Sequence, residues 1–133
     1  MGLRSSKNGQ FFVDNENSPH WLSSAAAGNF TVSSANTAVQ LTIAAVTGCA
    51  HDVRKIIVSF SADPTAAVPV TIMDGSTAKG VFYITKGGPA PIDLDGFLGT
   101  VSTAFAVQIG AAGGTTTGAI FVNKRRVVTI GKD

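Results

Sequence analysis

The stretch Val68 to Thr85, VPVTIMDGSTAKGVFYIT, sets how the rest of the chain is read. Val68, Val70 and Ile72 alternate with Pro69, Thr71 and Met73, and a period of two gives a strand one buried face and one open face. Asp74-Gly75 interrupts the run, and a second apolar run, Val81 to Ile84, follows a short polar tip. Asp tolerates the left-handed backbone region and glycine enters it without a Cβ clash, so the chain reverses here while both flanks stay extended. The stretch predicts a β-hairpin.

The same period extends outward on both sides. Val39, Leu41 and Ile43 alternate with Gln40 and Thr42. From Val53 to Ala62, Ile56, Val58 and Phe60 form one face, with Val53, Lys55, Ile57 and Ser59 on the other. Asp63-Pro64 ends that strand, because proline cannot donate to a ladder. After the loop Lys86 to Pro91, Ile92, Leu94 and Phe97 resume a short run, with Asp93 and Asp95 facing the other way. Phe105, Val107 and Ile109 predict a strand paired with the last one across the flexible turn Gly110 to Gly118, and Ala119 to Asn123 with Val127 to Ile130 complete the chain as one long strand or two short ones. No 3.6-residue period appears, and nothing between strands is long and amphipathic enough for a crossover helix. These features predict an all-β fold, an antiparallel, jelly-roll-like β-sandwich of about seven or eight strands.

The first 35 residues differ from the rest and read as an extended N-terminal arm, leaving residues 36–133 as the sandwich domain. Phe11, Phe12, Trp21 and Phe30 lie in this arm. So many large rings in a weakly patterned segment predict that it docks, either on its own sandwich or on a partner.

Composition narrows the function classes. A chain of 133 residues with 44% apolar content fits one domain with one core. Only 14% of residues are charged, and Glu16 is the single glutamate, which favours coverage of part of the surface by a partner. The formal charge of +2 is too small to imply nucleic acid. The basic residues cluster at Lys124-Arg125-Arg126, a second candidate contact surface. The lone Cys49 excludes an internal disulfide, no signal-peptide core opens the chain, and no apolar run approaches the length of a membrane span. Folding in a cytoplasm and no membrane partner are expected.

Catalytic and ligand chemistry finds poor material. Cys49-Ala50-His51-Asp52 offers a thiolate, an imidazole and a carboxylate, but a structural zinc needs four convergent ligands and only the distant His20 could complete the set. Cys49 reads as a small buried filler and His51-Asp52 as a polar turn. Asp93 and Asp95 on one strand face are not the opposed pair a glycosidase requires, and a weak Ca²⁺ site there competes with simple solvation. Gly113 to Gly118 contains no phosphate-binding GK[ST] and opens no helix. No enzyme activity, metal or cofactor is expected. Trp21 and Tyr83 are the rings to test for glycan contact.

The run HDVRKIIVSFSADP from His51, then VTIMDGSTAKGVFYIT, the GGPAPIDL loop and a final AFAVQIGAAGGTTTGAIFVNKRR resemble small β-sandwich structural proteins of tailed bacteriophages over about Ala38 to Val127. The resemblance carries no catalytic motif. It implies a virion component, foremost a head-decoration or cement protein on the outer capsid surface that stabilises contacts between capsomers. It further implies the major capsid protein or other virion proteins as partners and a homo-oligomer, with a trimer favoured. A tail or fibre module, or a carbohydrate-binding or adhesion domain, is the alternative. Phe11, Phe12, Trp21, Phe30, Lys124, Arg125 and Arg126 are the expected partner contacts.

Overall fold

The computed structural model describes residues 3–5, 10–13 and 30–129. It is an all-β structure of two antiparallel sheets, as the alternation predicts. Ten strands occur among the described residues: β1 (Leu3–Ser5), β2 (Gln10–Val13), β3 (Phe30–Val32), β4 (Val39–Ile43), β5 (Cys49–Phe60), β6 (Val68–Asp74), β7 (Thr77–Ile84), β8 (Gly88–Leu98), β9 (Phe105–Ile109) and β10 (Gly118–Thr129). Seven of them, β4 to β10, lie within residues 36–133, against the seven or eight expected; β1, β2 and β3 lie within residues 1–35. No helix among the described residues is long and apolar enough to cross a membrane.

One sheet has the order β1-β2-β10-β5-β8, with β3 also pairing with β10; the other has the order β4-β9-β6-β7. β2 pairs with the C-terminal end of β10 through Phe12↔Val127, and β3 with its start through Phe30↔Phe121, so both arm strands extend the same edge of β10. The inner faces meet in one core. Leu41 and Ile43 of β4, Val68, Val70 and Ile72 of β6, and Phe105, Val107 and Ile109 of β9 pack against Val53, Ile56, Val58 and Phe60 of β5, Ile92 of β8, and Ile120 and Val122 of β10. Each such side chain taken from water contributes about 1.5 to 3 kcal/mol.

The hairpin of β6 and β7 forms as predicted, with Val70 opposite Phe82. Gly75 alone supplies the left-handed residue, at φ +63°, and its N–H donates to the Ala104 carbonyl at 2.7 Å. Asp74 does more than turn the chain: its buried carboxylate accepts from the Thr100 N–H at 3.2 Å and the Thr100 hydroxyl at 2.6 Å. The tip of one hairpin thereby holds the loop that leads into β9.

Four expectations are corrected. Residues 88–91 are not loop but the start of β8, paired with β5 from Gly88↔Phe60 to Pro91↔Ile57, because proline is tolerated on an edge strand. β9 does not pair with β10; it lies between β4 and β6, and residues 110–117 carry the chain across to the other sheet. His51-Asp52 is not a turn, since β5 starts at Cys49. Val53 does not share a face with Lys55 and Ile57. Opposite β5, Asn123 pairs with Lys55 and Lys124 with Val53, which expels Arg54 from the ladder as a bulge and returns Val53 to the core with no exposed surface. The third strand of this set answers in kind: Asp93 pairs with Lys55 and Phe97 with Val53, and Asp95 and Gly96 between them take positive φ of 52° and 80°.

Candidate functional site

The outer face of the β4-β9-β6-β7 sheet is built by the odd partners of the core alternation. Register places Gln40 beside Gln108, Gln108 beside Thr71, and Thr71 beside Val81 in one row across the sheet. Thr42, Ala106 and Met73 form the next row, and Pro69 stands opposite Tyr83. None of these side chains is charged. The Gln108 amide donates to Gln40 Oε1 at 2.7 Å, and the Gln40 amide donates to the Thr42 hydroxyl at 2.7 Å. This chain of bonds fixes the direction of two amides that would otherwise rotate, and it leaves each amide with one further N–H to offer.

Beside the amides lies an open cleft of 400 Å³, lined by Ala38, Val39, Gln40, Pro69, Thr71, Gln108, Ile109 and Gly110. Tyr83, 67% exposed, stands at its β7 side through its pairing with Pro69. Oriented amides, a hydroxyl and an exposed ring over a shallow neutral trough can hydrogen-bond a polar, uncharged ligand and stack on its apolar side.

The outer face of the other sheet is of the opposite character. Asp52, buried, accepts from Arg125 Nε at 2.7 Å and pairs with Arg54 at 3.2 Å. With Asp95, Gly96, Leu98 and Val127 they line a depression of 290 Å³. Both guanidiniums reach the same carboxylate oxygen, so this depression holds a structural ion cluster beside the bulge at Arg54.

The residues proposed from sequence as contacts are dispersed. Phe30 stacks on Phe121, ring centroids 5.6 Å apart and 13° between planes, and stays 47% exposed. Phe11 and Phe12 belong to β2, whose backbone pairs with β10, and their side chains lie outside what the structure describes, as does Trp21. Lys124, Arg125 and Arg126 sit within one continuous strand, all half-buried, and alternation divides them: Arg125 faces the Asp52 side, while Lys124 and Arg126 face the side of Val53 and His51. The same alternation separates Cys49 and His51 from Ala50 and Asp52, so the CAHD run does not converge. The buried His51 ring meets the Ala44 carbonyl at 2.9 Å through Nε2, and no three His, Cys, Asp or Glu side chains gather to hold a metal among the described residues. Asp93 Oδ1 accepts the Asp95 N–H at 2.8 Å, a local turn bond. Sequence reasoning missed Gln40, Thr71 and Gln108; the available signal was that the open positions of β4 and β9 carry amides and hydroxyls where a solvated strand usually carries charge.

No family model matches the chain, and no curated protein matches it. Among solved structures, the chain is similar to a CBM36-1 domain of a multidomain xylanase from the hindgut metagenome of Trinervitermes trinervoides, with 16% identity, a TM-score of 0.36, and coverage of 86% of this chain and 87% of that one. A carbohydrate-binding module CBM36 in complex with calcium and xylotriose has 16% identity, a TM-score of 0.35, and coverage of 72% and 76%. The insecticidal delta-endotoxin Cry8Ea1 of Bacillus thuringiensis has 9% identity and a TM-score of 0.43 over 92% of this chain and 24% of that one. The fold assignment stands on the strand pairing above, since likenesses of this depth add nothing to it.

Proposed function

We propose that this chain is a non-catalytic carbohydrate-binding or adhesion module whose ligand lies on the outer face of the β4-β9-β6-β7 sheet. One observation carries the proposal: a face without charged side chains combines the oriented Gln40–Gln108 amides and the Thr71 hydroxyl around an open cleft with the exposed Tyr83 on the neighbouring strand, opposite Pro69. A neutral glycan presents alternating hydroxyls and C–H faces, which such amides and a ring recognise together, and an open trough admits a chain from either end. Gln40 and Gln108 orient hydroxyls, Tyr83 stacks, and Pro69 supplies apolar surface beside them. The test is a glycan array with the intact chain and with Tyr83→Ala. Binding that the substitution abolishes supports the module; an array without binding, or binding unchanged in Tyr83→Ala, removes it.

A second reading, a structural subunit of a phage particle, draws support from the exposed apolar side chains Val81, Phe82, Tyr83, Leu98 and Val101, surface that packing against a neighbouring subunit would cover. A head-decoration protein and a tail or fibre module both belong to this reading. Electron microscopy of labelled virions separates them, through a regular outer lattice in the first case and label confined to the tail in the second.

A further inference from the structure

We infer that two copies of this chain pair through β7, antiparallel about a two-fold axis at Phe82, into a continuous eight-stranded sheet. The inference stands independently of what the outer face binds.

Among the described residues five strands end a sheet, β1, β3, β8, β4 and β7, and they are guarded unequally. β8 carries Pro89 and Pro91, which cannot donate, and is broken by the Asp95-Gly96 bulge. β1 and β3 have three residues each, and β4 has five with β3 lying beside it. On β7, a bulge at Lys79 is followed by Gly80 to Ile84, a run without proline, charge or further irregularity. Proteins blunt long edges with those devices, and an edge lacking them is a template for another strand.

The side chains on this edge are apolar in both directions. Phe82 shares a face with the core residue Val70 yet is 42% exposed, because it sits at the open side of the sandwich. There Ile72, Lys79, Gly80 and Phe82 of one sheet and Leu94 and Phe97 of the other line a small cleft of 110 Å³. On the opposite face, Val81 and Tyr83 are 45% and 67% exposed.

The run is complementary to itself. A two-fold at Phe82 sets Phe82 against its mate, Val81 against Tyr83 of the second copy twice, and Gly80 against Ile84 twice. Aromatic and β-branched cross-strand pairs are among the favourable ones. The charges agree: Lys79 falls opposite Thr85 and Lys86 opposite Ala78, so no like charges meet and none is buried. Phe82 and its mate would close the apolar mouth from both sides, and the two neutral outer faces would join into one platform.

Sedimentation of the full chain, up to about 1 mM because so small an interface binds weakly, should show a monomer–dimer equilibrium. Phe82→Glu, which opposes two carboxylates at the axis, should weaken dimerisation at least tenfold while circular dichroism keeps the β spectrum. Should that variant misfold, Phe82→Cys in a Cys49→Ala background provides the second test: oxidation should link two chains through position 82, and Lys79→Cys in the same background should not. A strict monomer, a trimer, a dimer unchanged by a folded Phe82→Glu, or crosslinking equally efficient at position 79 would each overturn the two-fold pairing.

Discussion

The two sheets have inner faces of one kind and outer faces of two. Outside β5 and β10, Asp52, Arg54 and Arg125 form an ion cluster around a buried carboxylate. Outside β4, β9 and β6, an amide relay runs through Gln108, Gln40 and Thr42 with no charge on the face. Both use the positions that alternation leaves free once the core is made. The ion cluster joins its members to one another across a distorted strand, whereas each amide of the neutral face keeps a second N–H.

Substitutions can break or sharpen this contrast. The largest effect is expected from Ile120→Ala, in the shared core with no exposed surface. It should cost about 2 to 5 kcal/mol in urea unfolding and weaken both faces together, since neither sheet stands without the other. Asp52→Ala comes next. It removes the buried carboxylate that Arg125 Nε donates to and should cost about 1 to 3 kcal/mol, with Arg54, more exposed, compensated by water. Glycan affinity should not change with it. Gln108→Ala should do the reverse: stability within about 0.5 kcal/mol of the parent, and affinity by calorimetry reduced at least tenfold, about 1.4 kcal/mol. The smallest effect concerns salt. Raising ionic strength from about 0.1 to 1 M shortens screening from about 10 to 3 Å, so it should slightly lower stability through the Asp52 pairs and leave binding on the neutral face constant. Glycan affinity that falls with salt would place the ligand on the charged face instead.

Most of the fold was legible because the core writes itself as a period of two. Val68, Val70 and Ile72, with the Asp74-Gly75 reversal, located a hairpin correctly, and Leu41 and Ile43 did the same for β4. What escaped was set between strands. Gly110 to Gly118 has the composition of a hairpin turn, yet its length serves equally to cross from one sheet to the other, and local composition does not choose. Val53 was assigned to the wrong face because a bulge shifts the alternation, and only the pairing with Lys124 reveals it. The candidate site was the least legible part. Tyr83 stood out as a ring, but Gln40 and Gln108 lie 68 residues apart and become a pair only when β4 meets β9.

Because Arg54 stands outside the ladder, its removal would leave Val53 opposite Lys124 and Lys55 opposite Asn123, with every downstream side chain on its present face. Elsewhere along this twelve-residue strand, losing one residue would turn a stretch of it inside out. Here the casualty would be one guanidinium beside Asp52. The strand thus contains a single place where chain length has slack, and changes in length during divergence have a position at which the core can absorb them.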